Sequence, residues 1–197
     1  MSFRIEKKLF IKKQQLTEFK KFLFKKDVKQ IYKPRIVESI YFDNSDKKIY
    51  FDSLEGLSPR KKIRIRYYPE KKNDEYFLEY KISSVEGRFK KKNKISLSRY
   101  NHILNFGIID SGYGICKPNL VVSYKREYFA QNDVRITYDS NISYNLFKKN
   151  FKKVDQNIIV ELKTSIKKNL DDLIKEFPFQ EIRFSKYCNG IELLQNN

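Results

Sequence analysis

Residues Arg60–Tyr68 read RKKIRIRYY, and the alternation in this stretch decides the fold class. Successive side chains of a β-strand point to opposite faces. As a strand, the stretch places Lys62, Arg64, Arg66 and Tyr68 on one face and Ile63, Ile65 and Tyr67 on the other. Its β-branched and aromatic residues favour a strand over a helix. Taken alone, it would turn its isoleucines to a core and its cations to water. The rest of the chain argues against that simple reading, because other segments repeat the same device.

FRIEKKLF (3–10) sets Arg4, Glu6 and Lys8 against Phe3, Ile5 and Leu9. In YFLEYKI (76–82), Glu79 and Lys81 share a face with Phe77, and Leu78, Tyr80 and Ile82 take the other. VRITYD (134–139) aligns Arg135, Thr137 and Asp139 opposite Val134, Ile136 and Tyr138. IIVELK (158–163) aligns Glu161 and Lys163 opposite Val160 and Leu162. In VVSYKREYF (121–129), Arg126 shares its face with Val122, Tyr124 and Tyr128.

A merely solvated face would accept Ser, Thr, Asn or Gln as readily as charge. These faces select Arg, Lys and Glu, and E-x-K recurs as Glu6/Lys8, Glu79/Lys81 and Glu161/Lys163. The expected fold is α+β: a closed or nearly closed antiparallel barrel of roughly eight strands with a charged lumen, its apolar outer faces covered by helices. QQLTEFKKFLFKK (14–26), LSRYNHILNF (97–106) and KNLDDLIKEF (168–177) carry apolar residues at helical spacing for that covering. SYNLFKKNF (143–151) reads as a further short helix, SGYGICKP (111–118) as a loop, and IRFSKYCNGIELL (182–194) as a strand carrying Lys186 that passes into a helix. Residues 1–197 are read as a single domain.

The 42 Lys and Arg against 24 Asp and Glu give a net charge of +18, which calls for acidic partners. With 40% hydrophobic and 15% aromatic residues, the chain is a folded protein and not a basic tail. Cys116 and Cys188 make neither a disulfide framework nor a zinc site, and His102, the single histidine, falls in a helix. Any metal ligands are therefore carboxylates, which suits Mg²⁺ or Mn²⁺. No apolar run is long enough for a membrane helix, and the expected location is cytoplasmic.

The ordered series R-x-E-x-K (from Arg4), S-x-YFD (Ser39), K-x-R-x-RYY (Lys62), LE-x-K (Leu78), GR-x-KKK (Gly87), Y-x-R (Tyr124), VR-x-T-x-D (Val134), VE-x-K (Val160) and SKY (Ser185) resembles the VTC (vacuolar transporter chaperone) polyphosphate polymerase domain. That family belongs to the triphosphate tunnel metalloenzymes, relatives of the CYTH proteins. The likeness runs from about Arg4 to Tyr187. CYTH proteins usually open with E-x-E-x-K, and Arg4 in place of the first Glu favours the VTC branch. The resemblance implies metal-dependent transfer of the γ-phosphate of ATP to phosphate or to a growing polyphosphate chain. It implies a catalytic and phosphate-holding set of Lys8, Arg64, Arg66, Lys81, Arg126, Arg135 and Lys186. Lys62, from its place on the charged face, and Lys91, aligned from Gly87, are added as phosphate-binding residues. Glu161 is the first choice of ligand for Mn²⁺ or Mg²⁺, with Glu6 and Glu79 as possible partners.

The physical reading of the residues agrees with this. Arginine and lysine crowded on one enclosed face repel one another unless a polyanion fills it. Guanidinium forks match phosphate oxygens. For Glu6 and Glu79 a plain cross-strand ion pair is the competing reading. Asp139 is read as orienting Arg135, and Lys163 and Arg60 as supporting or surface residues. Three activities stay open: a polyphosphate polymerase with ATP, polyphosphate and pyrophosphate as partners, a triphosphatase on the same scaffold, and a non-catalytic polyanion or nucleic-acid binder. Nucleic acid is the least favoured, since a duplex is too wide for a small barrel and lumen carboxylates repel its backbone.

Overall fold

The computed structural model describes residues 4–71, 75–165 and 179–195. The chain forms strands β1 (Arg4–Ile11), β2 (Lys29–Asp43), β3 (Arg60–Tyr67), β4 (Tyr76–Ser84), β5 (Gly87–Ile95), β6 (Ile108–Asp110), β7 (Gly114–Gln131), β8 (Val134–Leu146), β9 (Lys152–Asp155), β10 (Ile158–Ser165) and β11 (Gln180–Glu181). The helices are α1 (Leu16–Lys25), α2 (Lys48–Glu55), α3 (Leu97–Phe106) and α4 (Lys186–Gln195). The class is α+β. Strand order is β11-β1-β10-β8-β7-β2-β3-β4-β5, with β6 beside β7 and β9 beside β8. The recorded pairings are antiparallel. Among the described residues β11 and β5 each have a neighbour on one side only, so of the expected closed or nearly closed form the described ladders take the one that is not closed.

Two compact units divide the chain. The first comprises Met1–Arg35, Tyr124–Ile142 and Val154–Phe184. Its core joins Leu9 and Ile11 of β1, Val134, Ile136 and Tyr138 of β8, and Ile158, Val160 and Leu162 of β10. These are the apolar faces expected from the alternation. Phe19 and Leu23 of α1 close over them, with Phe19 edge-on to Tyr138 at 6.0 Å and to Phe179 at 5.7 Å. Burying each such side chain contributes about 1.5–3 kcal/mol.

The second unit comprises Ile36–Ser123, Ser143–Lys153 and Ser185–Asn197. Here α2 begins on the buried Asp43, whose Oδ1 and Oδ2 accept from the backbone N–H groups of Ile49 and Tyr50, both at 2.9 Å. This satisfies donors that a helix start leaves free. Burial pushes the Asp43 carboxyl up, against the bond that the Tyr187 hydroxyl donates to it. Gly190 of α4 lies so close to its neighbours that a Cβ there would stand 2.5 Å from Tyr144 and 2.7 Å from Leu120. The N-cap of α3 is Ser96, whose hydroxyl accepts from Arg99 N–H at 3.2 Å.

Four local expectations change. SYNLFKKNF is not helical: β8 runs on to Leu146 because Ile142 and Tyr144 keep the period of two and are fully buried. SGYGICKP shrinks to a turn between β6 and β7 at Gly114, which takes φ +71, the left-handed region where glycine carries no side-chain penalty. Lys186 opens α4 instead of lying on a strand. KKIYFDSLEGLSPR (47–60), in which Gly56 and Pro59 mark a loop before β3, instead forms α2 over residues 48–55, closed by Gly56 at φ 80. The expected helix over 168–177 lies outside the described residues.

Candidate functional site

In the second unit, β2, β3, β4 and β5 build a continuous cationic face. The register sets Tyr41 and Glu79 on either side of Arg64, Ser39 and Phe77 on either side of Arg66, and Lys81 between Lys62 and Lys90. Arg64 is 5% exposed, Arg66 8% and Glu79 1%, so this is not a solvated strand face. Ile63 and Ile65, on the opposite face, are fully buried as well.

Arg64 donates through Nε and Nη2 to Glu79 Oε2, at 2.8 and 2.6 Å, and through Nη1 to the Tyr41 hydroxyl at 2.9 Å. Lys90 Nζ takes the other oxygen of Glu79 at 2.5 Å. Arg66 Nε reaches Ser39 Oγ at 3.3 Å, and Lys62 Nζ donates to Ser185 Oγ at 2.9 Å. Arg64, Arg66 and Lys90 thus crowd around one carboxylate, with Lys62 and Lys81 on the same face of the ladder.

Two titrating groups register the resulting field. Burial pushes Glu79 up, but Arg64, Arg66 and Lys90 overcome it and hold the carboxyl well below the usual carboxylate range. Burial likewise pushes the Tyr41 phenol up, yet Arg64, Arg66 and, more weakly, Lys186 draw it below its ordinary value of 10.0. A buried phenol lowered in this way reports positive potential in excess of the local acids.

In the first unit, β1, β10, β8 and β7 carry a face in which acids and bases alternate. Arg126 makes a two-pronged bond to Asp139, Nε to Oδ1 at 2.5 Å and Nη2 to Oδ2 at 2.7 Å, and its Nη2 stands 3.7 Å from Glu161. Lys163 Nζ lies 3.1 Å from Glu161 and 3.8 Å from Glu6, and Lys8 Nζ lies 3.7 Å from Glu6. Lys8 also donates to the Phe184 carbonyl at 2.6 Å. Burial pushes Glu161 up, but Lys163, a hydrogen bond shared with Glu6, Arg126 and Lys8 hold it well below the ordinary range.

Glu6 and Glu161 are hard oxygen donors within hydrogen-bond reach of each other. Mg²⁺ or Mn²⁺ is commonly held by one or two carboxylates together with substrate phosphates and water, and this pair fits that donor set. Among the described residues no group of three or more His, Cys, Asp or Glu is placed to hold a metal by itself. Glu79 is different in kind: both of its oxygens are taken by Arg64 and Lys90.

Several expected residues stand elsewhere. Lys91 pairs with Tyr80 and faces away from Glu79, so Lys90 takes the position expected for it. Asp139 holds Arg126, not Arg135, which is exposed near the β7–β8 turn opposite Lys163. Lys163 is an ion-pair partner of both Glu6 and Glu161, more than a surface residue. Arg60 ties down the loop after α2 through the carbonyls of Gly56 and Leu57, at 3.1 and 2.8 Å. His102 packs at a tilt against Phe106 along α3, 4.8 Å between ring centres. Ser39 and Tyr41 stand in the S-x-YFD motif but carried no expected role there, although the alternation of SIYFD puts both on the side of Asp43.

Antiparallel ladders carrying cationic and acid–base faces, with helices on the apolar side, define the class. The chain belongs to the VTC domain family, whose pattern it matches over residues 3–113 and 112–195. Among solved structures it is similar to a candidate adenylate cyclase from Bacillus halodurans, with a TM-score of 0.64 and 13% identity over 93% of this chain and 94% of that one. It is also similar to a candidate adenylate cyclase from Vibrio parahaemolyticus, with a TM-score of 0.57 and 13% identity over 98% of each chain. No curated protein matches the chain. None of the described helices is long and apolar enough to cross a membrane.

Proposed function

We propose that the chain is an enzyme acting on triphosphates, and specifically a polyphosphate polymerase that transfers the γ-phosphate of ATP to phosphate or to a growing polyphosphate. The observation that carries this reading is the pair Arg64 and Arg66, buried among further cations with Glu79 as the carboxylate beside them. Such an excess of enclosed positive charge is costly unless an anion of several charges joins it.

In this reading Lys62, Arg64, Arg66, Lys81 and Lys90 bind the phosphates of the donor, Lys90 in the place first given to Lys91. Lys8, Arg126 and Lys186 supply further phosphate contacts, and Asp139 fixes the Arg126 fork. Glu6 and Glu161 hold Mn²⁺ or Mg²⁺, which when bound supplies charge neutralisation at the phosphate oxygens. An oxygen of the acceptor phosphate attacks the γ-phosphorus, the bond to the β–γ bridging oxygen breaks, and ADP leaves with that oxygen. The side chains contribute position and electrostatic stabilisation, the main requirements of phosphoryl transfer. Chain growth needs only a second anion-binding stretch in line with the first, whereas hydrolysis needs a positioned water or base. The lone histidine lies on α3, and the carboxylates of both faces are engaged by lysine or arginine.

The test is incubation with γ-labelled ATP and Mn²⁺, followed by sizing of the phosphate products on a gel. A ladder lengthening with time, its lag shortened by added pyrophosphate or short polyphosphate, is expected. Orthophosphate as the sole product, with primer present, would replace the polymerase reading with a triphosphatase.

A further inference from the structure

Along the cationic face of the second unit, charge gives way to aromatic side chains at one end. Arg64 and Arg66 lie on one side of β3, Phe77 stands directly opposite Arg66 across the β3–β4 ladder, and Tyr68 follows the end of the strand. The Tyr68 ring meets Phe77 edge-on, 6.4 Å between centres at 67°. Lys92 Nζ sits 3.6 Å from the Phe77 ring centre, and Lys71 Nζ 5.7 Å from that of Tyr68. Both rings are half-buried, whereas Arg64 and Arg66 beside them are buried.

An inorganic polyphosphate has no group that gains from an aromatic surface. A phenylalanine on the face of β4 that carries Glu79 and Lys81, opposite Arg66 of β3, is therefore unexplained by phosphate binding alone. Base–aromatic stacking stabilises a complex without demanding a particular base, and a neighbouring lysine adds attraction for the adjoining phosphates. Resting on the triphosphate reading, we infer that Tyr68 and Phe77 form a nucleobase-stacking subsite contiguous with Arg66. The substrate is then a nucleoside triphosphate entering with its base at this end and its phosphates towards Arg64. The edge-to-face arrangement gives the base a ring face to stack on and a second ring at its border.

The test compares ATP with inorganic tripolyphosphate by calorimetric titration of the full chain and of its Phe77→Leu, Tyr68→Leu and Tyr68→Phe variants. Phe77→Leu and Tyr68→Leu should each weaken ATP about tenfold, within the range of one lost base stack, and leave tripolyphosphate unchanged. Tyr68→Phe keeps the ring and should bind both ligands as the parent does. Retained tripolyphosphate binding shows in the same measurement that a variant is folded. Parallel losses for the two ligands, or no loss for ATP, would overturn the subsite while leaving the triphosphate reading intact. A parent protein that binds neither ligand would overturn both.

Discussion

Arg64 stands opposite Glu79 across the β3–β4 ladder and sends two of its donors to a single oxygen of that carboxylate, at 2.8 and 2.6 Å. Lys90 occupies the other oxygen. The pair is inaccessible to water, so it is held by geometry and by Tyr41, with little help from solvent. Removing one member of a buried pair leaves the other charge uncompensated. Glu79→Gln should therefore cost the unliganded protein about 3–5 kcal/mol. Urea unfolding measures this, and tripolyphosphate should restore more stability to the variant than to the parent, because it returns the missing negative charge. A loss below about 1 kcal/mol, the range of exposed pairs, would show that the face tolerates its charge without Glu79.

The same residue sets an acid limb. The folded Glu79 carboxyl is depressed below its unfolded value, so its contribution is fully present above the unfolded value, about 4.3, and is lost as pH falls through the folded one. Glu161 carries the same sign. Unfolding free energy should be flat with respect to these groups near neutrality and decline below about pH 4–5. Glu79→Gln should make that decline shallower. An unchanged acid limb in the variant would mean that Glu79 is not held down in the folded state.

Linear phosphates should stabilise the fold in the order triphosphate, pyrophosphate, orthophosphate. A ligand at about 100 times its Kd adds roughly 2.7 kcal/mol, and longer chains engage more of the cationic face. Thermal unfolding at matched ionic strength reads the order directly. Arg66→Ala should shrink the triphosphate shift, since Arg66 is buried on the cationic face. Equal shifts for sulfate and triphosphate would argue for unspecific charge screening.

Glu161→Gln keeps the shape of the side chain and removes its charge. Triphosphate binding should survive, while Mn²⁺-dependent turnover of ATP falls by orders of magnitude. The affinity for Mn²⁺ in the presence of triphosphate gives a second readout. Near-parent activity would move the metal to Glu6 alone, and loss of the fold would make Glu161 a structural partner of Lys163 and Arg126.

Faces were legible in the sequence wherever charge and apolar residues alternated without interruption. RKKIRIRYY, VRITYD and IIVELK each specify which residues face the core, because a strand repeats every second residue. RFKKKNK carries cations on both parities, so nothing in it fixes the face, and the choice between Lys90 and Lys91 was made by the β4–β5 turn. Pairing between strands was not legible either. Asp139 and Arg135 lie four residues apart on one strand, but Asp139 bonds to Arg126 on the neighbouring strand, a relation that depends on the turn at Asn132. Apolar spacing misled at SYNLFKKNF, where burial of Tyr144 against the close approach of Gly190 favours extension.

Tyr41 gives the cationic face a proton ledger of its own. Its hydroxyl gives up a proton more readily than an ordinary phenol because Arg64, Arg66 and Lys186 outweigh its burial. A polyanion arriving on those cations cancels the field that favours the phenolate. Binding near pH 10, the ordinary phenol range, should then draw a proton from solvent, and the apparent affinity should weaken as pH rises past the Tyr41 transition. The ultraviolet phenolate band should fade during the titration, and this response should vanish in Tyr41→Phe. The protein would thereby carry an indicator dye built into the wall of its own anion site.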